Sequence, residues 1–319
     1  MTSPWGRHSC LPFTSKAILL VLTASVLHAT TYYVTVAGLG GEPEYEQRFS
    51  GWAKDIDKLL KTGGPDTRVE TLYGAAATRA KVQSVLGEIA REAKPTDVLV
   101  LMLIGHGSFD GTEYKINLPG PDLSGAEMAG LLDKIPARQL VVNTTSASGG
   151  SRGALARSNR AVITATKTGS EKNVTVFARY WVEALRDPTA DTDKNGVVSA
   201  LEAFRYAEQK TAKFYDAAKR LATEHAILED TGKGQGTRNP SPENGQGLLA
   251  SRFPLLRLGA TQTSAATPEK QKLIAHKEEV EQEIDTLKYQ KAAMPVDDYK
   301  RQLTKLLVDL AKTQAELDK

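Results

Sequence analysis

Seven consecutive apolar residues, Val98-Leu99-Val100-Leu101-Met102-Leu103-Ile104, run directly into Gly105-His106-Gly107-Ser108. A run with no polar position on either side fits a strand covered on both faces, as in the interior of a parallel sheet. Parallel neighbours need long crossover connections, and the chain supplies them. Strand candidates Tyr32–Val36, Arg68–Tyr73, Gln139–Val142 and Ala161–Thr164 alternate with helical patterns. Phe49, Trp52, Ile56 and Leu59-Leu60 trace one helical face. Val82, Val85-Leu86 and Ile89 trace a second, with Thr78 as its cap. Ser124 and Glu127 form a capping box ahead of Met128, Leu131-Leu132 and Ile135. The expectation is an open, mostly parallel α/β sheet with helices on both faces and with its functional groups beyond the C-terminal ends of the strands.

The rest of the composition narrows the function class. There are 41 basic and 38 acidic residues and no long block of like charge, so the electrostatic footprint of a nucleic-acid binder is missing. Aromatic residues make up 6%, too few for a base-stacking surface. Arg7 and Lys16 precede a short apolar run, Ala17 to Leu27, with Ala29 as a small-residue exit. That pattern reads as a signal peptide over residues 1–29, with a signal anchor or a buried helix as the alternatives. It implies a secreted or periplasmic protein with no stable membrane insertion once the signal is removed. Cys10 is the single cysteine and lies inside that segment. A mature chain would then have no disulfide, thiolate metal site or cysteine nucleophile.

At the strand ends, His106 stands between two glycines, which let the backbone turn sharply and leave the ring approachable. It reads as a general base or ligand-binding ring, or as a surface-loop histidine. The next strand runs into Asn143-Thr144-Thr145-Ser146-Ala147-Ser148-Gly149-Gly150. Ser146 is a nucleophile candidate if His106 lies within reach, and amides after Gly107 and around Gly149 are oxyanion-donor candidates. A polar turn feeding a helix explains the same composition. A zinc site from His106, His225 and an acid would require them to be adjacent. No phosphate-loop spacing is present, and no organic cofactor is expected.

Val98–Gly107 followed by Gln139–Gly149 resembles the caspase, legumain and gingipain superfamily of cysteine peptidases. Those proteins carry His-Gly after one strand and the catalytic cysteine after the next. The likeness is greatest to bacterial proteins of the legumain (asparaginyl endopeptidase) family. It extends to Ala37-Gly38-Leu39-Gly40-Gly41-Glu42, Gly105 to Gly111, Asn117 to Leu123 and Ala222-Thr223-Glu224-His225-Ala226, and covers roughly residues 31 to 258. The resemblance implies a caspase-like sheet, His106 as base, Ser146 in the nucleophile position, and a peptide or protein as substrate or ligand. It also implies a specificity pocket at Arg48, Thr144 and Glu171. Ser146 replaces the thiol, Thr144 stands where an acid is expected, and Gly38-Leu39-Gly40-Gly41 lacks the asparagine that orients the histidine. Serine-dependent hydrolysis and peptide binding without catalysis both remain open.

Asp191-Thr192-Asp193-Lys194-Asn195-Gly196-Val197-Val198-Ser199-Ala200-Leu201-Glu202 follows the twelve-residue EF-hand loop. Asp191, Asp193 and Asn195 offer side-chain oxygens, Gly196 a sharp turn, Val197 its carbonyl, Ser199 a water-mediated place and Glu202 a bidentate carboxylate. A structural Ca2+ is the ion such a loop takes. A polar connector with Ser199 and Glu202 as a capping box fits the same residues.

The expected organisation is a signal peptide (1–29), an α/β domain (30–258), an Ala/Ser/Thr/Gln-rich linker (259–268) and a helical tail (269–319). In the tail, Leu273, Val280, Ile284 and Leu287 form one stripe and Leu303, Leu306, Leu310 and Leu317 another, separated by Met294-Pro295. This reads as a helical hairpin that docks on the body, self-associates or binds a protein partner.

Overall fold

The computed structural model describes residues 29–64, 66–258 and 267–319. The expected signal peptide, apart from Ala29, lies outside the described residues, as do residues 259–266 of the expected linker. The strands are β1 (Thr31–Ala37), β2 (Thr67–Leu72), β3 (Val98–Ile104), β4 (Gly107–Phe109), β5 (Tyr114–Ile116), β6 (Leu123–Ser124), β7 (Arg138–Asn143), β8 (Arg160–Thr164), β9 (Val197–Ser199), β10 (Ile227–Glu229) and β11 (Pro254–Arg257). The helices are α1 (Pro43–Leu60), α2 (Arg79–Glu92), α3 (Gly125–Leu132), α4 (Arg152–Leu155), α5 (Phe177–Ala184), α6 (Ala200–Ala217), α7 (Leu248–Ser251), α8 (Pro268–Gln290) and α9 (Val296–Leu317).

Among the described residues, the main sheet has six strands in the order β10-β8-β7-β3-β1-β2. All neighbours are parallel except β10, which closes one edge antiparallel to β8. Every residue of β3 is buried, as its unbroken apolar run requires. Alternation along the strand sends its side chains to two cores. Val100, Met102 and Ile104 pack with Phe49 and Ile56 of α1, Phe177 and Trp181 of α5, and Phe204 of α6. Leu99, Leu101 and Leu103 pack with Val82, Val85, Leu86 and Ile89 of α2, and with Met128 and Leu132 of α3. Burying each of the four α2 side chains contributes roughly 1.5–3 kcal/mol.

Local signals fix the helix starts. The Thr78 hydroxyl accepts from the Lys81 amide ahead of α2, and Ser124 with Glu127 forms a complete capping box ahead of α3. Ser199 and Glu202 do the same for α6. β11 pairs with β9 and lies against the opening residues of the main sheet. The Tyr33 hydroxyl donates to the Pro254 carbonyl at 3.2 Å, and the Arg138 guanidinium sits 5.9 Å from the Phe253 ring centre.

Helices α8 and α9 form a hairpin. Val280, Ile284 and Leu287 of α8 are buried. Arg257 pairs with Glu278, Arg252 donates to Thr286 at 2.7 Å, and the Tyr289 hydroxyl donates to the Gln246 carbonyl at 2.8 Å. The hairpin is thereby seated at the end of the molecule where the strands begin. Among the described residues, no helix is long and apolar enough to cross a membrane.

Candidate functional site

Strand register brings two loops together. β3 and β7 pair with Leu103 opposite Asn143, so His106 and Ser146 each lie three residues beyond the last pair. The Thr144 amide donates to the Leu103 carbonyl at 2.9 Å, extending the pairing toward the loops. Gly105 adopts φ +140, a conformation that favours glycine, as the chain leaves the sheet. Gly107 is pressed so closely on the second loop that a Cβ there would meet the Ser146 carbonyl oxygen at 2.5 Å.

Across this contact the Gly107 amide donates to Ser146 Oγ at 3.0 Å. Ser146 Oγ in turn donates to the Gly107 carbonyl at 3.1 Å. Ser146 is 2% exposed. Its hydroxyl is therefore committed to main chain in both directions, and makes no hydrogen bond with the His106 ring. The Gly107 amide, an expected oxyanion donor, is consumed by the same pair.

His106 Nε2 lies 3.2 Å from the Gly40 carbonyl. A proton on Nε2 satisfies that acceptor and leaves Nδ1 with the lone pair. Tyr45 and Phe49 of α1 meet the ring edge-on, with centres 5.1 and 5.2 Å away. Burial pushes the His106 pKa below its ordinary value, against the Gly40 carbonyl, which favours the cation. The orienting group is a main-chain carbonyl from the glycine-rich stretch that lacks an asparagine.

The remaining expected residues fall in different surroundings. Ala147 is held at φ +57, and its amide donates to the Glu171 carbonyl at 2.8 Å. The Gly149 amide donates to Thr166 Oγ1 at 2.8 Å, so it is turned away from an oxyanion position. Thr144 is 1% exposed and donates its hydroxyl to Leu103. Its side chain points into the protein and cannot line a pocket for an incoming ligand. Arg48 is exposed and paired with Glu44, with its guanidinium 5.3 Å from the Tyr45 ring centre. Arg48 is thus separated from His106 by one aromatic ring.

Glu171 accepts from His225 Nδ1 at 2.5 Å, from the His225 amide at 3.2 Å and from the Lys167 amide at 2.7 Å. The sequence names both residues but does not join them, because 54 positions separate them. His106 and His225 do not gather with an acid into a metal-capable group among the described residues. Tyr114 carries no sequence signal either. It is fully buried, and its hydroxyl meets Thr145 Oγ1 at 2.6 Å and Asn143 Oδ1 at 3.2 Å. It ties the small sheet of β4, β5 and β6 to the Ser146 loop.

The 191–202 loop folds as its residue types dictate. Lys194 (φ +62) and Gly196 (φ +88) make the reversal. Asp191, Asp193 and Glu202 each bring a carboxylate oxygen within 4.8 Å of the others. Asp191 accepts from the Gly196 amide at 3.0 Å, and Asn195 Oδ1 accepts from the Val197 amide at 2.8 Å. Glu202 keeps its cap on Ser199 and also accepts from the Thr192 amide at 2.8 Å. Burial, reinforced by the Glu202 charge, pushes Asp193 up to about 6. Three converging carboxylates can hold a divalent ion.

No family model and no curated protein matches the chain. Among solved structures, the chain is similar to a protein from Geobacter sulfurreducens, at 14% identity and TM-score 0.47, covering 72% of this chain and 99% of that one. It is also similar to the Drosophila initiator caspase Dronc, at 12% identity and TM-score 0.41, over 65% and 81% of the two chains. Caspase-1 from Spodoptera frugiperda aligns at 10% identity and TM-score 0.43, over 64% of this chain and 87% of its own. At such identities no residue's role passes from them to this chain.

Proposed function

We propose that this chain is an exported protein with a caspase-like fold, related to the legumain-type peptidases, that binds an extended peptide or protein segment at its strand ends without hydrolysing it. The observation that carries this reading is the reciprocal bond between Ser146 Oγ and the Gly107 main chain, with Ser146 buried. A hydroxyl has little nucleophilicity without a base at hand, and this one is engaged elsewhere. The surface left for a ligand includes the half-buried His106 ring, Tyr45 beside it, Leu39 at 43% exposure and the Arg48 guanidinium. Export rests on the Arg7–Ala29 segment.

Serine-dependent hydrolysis is a second reading with one observation behind it. His106 is anchored through Nε2 on the Gly40 carbonyl, and burial lowers its pKa, which favours a ring able to accept a proton at Nδ1. Ser146 would have to leave Gly107, pass its proton to Nδ1 while attacking a carbonyl carbon, and free the Gly107 amide for the oxyanion. A fluorophosphonate probe on the folded protein separates the two. The binding reading requires no labelling above that of Ser146→Ala, together with saturable capture of extended peptides. Labelling that disappears in Ser146→Ala establishes the hydrolase instead.

The 191–202 loop belongs to the same proposal as a structural Ca2+ site. Asp191, Asp193, Asn195 and Glu202 would hold the ion through side chains, Val197 through its carbonyl and Ser199 through a water. The ion would add charge compensation to a crowded carboxylate cluster. Titration calorimetry with CaCl2 tests it, and absence of a saturable heat removes it.

A further inference from the structure

A cavity of about 270 Å³ lies between α6 and the stretch leading into β10. Ala212, Leu221, Ala222 and Ala226 supply its apolar lining. Thr211, Tyr215 and Glu224 line it together with the charged side chains Glu208, Asp216, Arg220 and Arg238. Thr211 is 5% exposed, and its hydroxyl has no hydrogen-bond partner. Glu224 is 3% exposed. It accepts from the Val176 amide at 2.6 Å, the Tyr215 hydroxyl at 3.0 Å and the Phe177 amide at 3.1 Å.

A carboxylate offers about four acceptor positions, so one remains on Glu224. Tyr215 gives its proton to Glu224 and takes one from Thr223 at 3.0 Å, which leaves a lone pair on its oxygen. Glu224 and Tyr215 thus each keep one accepting position, and the Thr211 hydroxyl, which can accept or donate, has no partner. No cation among the described residues pairs with the buried carboxylate, and burial raises the Glu224 pKa accordingly. Buried polar groups in native proteins are as a rule satisfied. A water molecule brings two donors and no charge, whereas a primary ammonium brings three donors and the missing positive charge. The rim is balanced, with Arg238 bonded to Glu208 and with Arg220 and Asp216 both present, so it does not repel a cation.

We propose that this cavity binds a primary alkylammonium group, its head on Glu224, Thr211 and Tyr215 and its short stem against the three alanines. The group is either a free amine or the end of a lysine side chain. The site does not depend on whether Ser146 is catalytic. It is linked to the Ser146 loop, because His225 follows Glu224 in sequence and holds Glu171, whose carbonyl holds the Ala147 amide.

Titration of the whole protein with n-butylammonium chloride, read by calorimetry or amide NMR shifts, tests the site. Saturable binding is expected with Kd of about 1 mM, within reach of so small a ligand. Thr211→Val, which keeps the shape and removes an acceptor, is expected to weaken it about tenfold. Glu224→Gln is expected to abolish it. Glu224 also holds the start of α5, so if that variant does not fold, Thr211→Val carries the test. n-Butyltrimethylammonium has the charge without the N–H donors and is expected not to bind. N-acetyl-lysine methylamide binding as well as butylammonium points to a lysine ligand, and butylammonium binding alone points to a free amine. No saturable signal at about 10 mM, or equal binding by Thr211→Val or by the quaternary ion, overturns the proposal.

Discussion

The hydroxyl of Ser146 and the main chain of Gly107 hold each other in both directions, amide to Oγ at 3.0 Å and Oγ to carbonyl at 3.1 Å. The pair welds the loop after β3 to the loop after β7, and a residue in the position expected of a nucleophile acts as a fastener. Ser146→Ala leaves a main-chain donor without its partner and is expected to lower stability by about 1–3 kcal/mol. Urea denaturation measures this. A loss within about 0.5 kcal/mol, the usual range for a surface change, would mean that the hydroxyl stands free.

Gly149 is fixed by contact. A Cβ there would lie 2.5 Å from the Lys167 carbonyl carbon and from the Thr168 nitrogen. Neither main-chain atom can move as a flexible side chain would. Gly149→Ala is expected to cost about 1–3 kcal/mol and to broaden amide signals across residues 146–149 and 166–171. Gly153, with nothing within 4 Å of its Cβ position, provides the control and is expected to tolerate alanine.

The depressed pKa of His106 makes a pH signature. Burial lowers it from 6.5 in the folded chain, so the unfolded chain binds the proton first as pH falls. Stability is then expected to be complete above about pH 6.5, to decline as pH drops below it, and to level off below the folded pKa. His106→Phe keeps an aromatic ring beside Tyr45 and Phe49 and is expected to remove this component of the pH profile. Equilibrium unfolding between pH 5 and pH 8 in both proteins checks it, and superimposable profiles would contradict it.

Two carboxylates in the 191–202 loop can be separated by their second duties. Glu202 also caps α6, whereas Asp193 has no capping role. Asp193→Asn, which keeps an oxygen ligand and removes its charge, is expected to weaken calcium binding while raising the melting temperature of the ion-free protein, because the charge held beside Glu202 and Asp191 is gone. A variant that binds calcium as the parent does would remove the loop's assignment.

What could be read from the chain in advance follows the range of the interactions. The apolar run of β3, the caps at Thr78, Ser124 and Ser199, and the loop at 191–202 are set by neighbours a few residues away, and each is written in consecutive letters. The closing of Ser146 on Gly107 and the joining of Glu171 to His225 depend on strand register and loop path, which no local pattern encodes. Tyr114 looks ordinary in sequence because strands of two or three residues have no periodicity. It becomes a strut only once β5 lies beneath the Ser146 loop. Thr144 sits in a motif position that suggests an exposed role, yet its place one residue past Asn143 continues the sheet pairing and turns it inward.

The α8–α9 hairpin is seated where the strands begin, through Arg257, Arg252 and Tyr289, and His106 lies where they finish. The molecule thus has two poles that do not compete for space. A protein or matrix that grips the hairpin leaves the opposite end facing outward, so immobilising the chain by its tail would display the His106 surface to whatever passes.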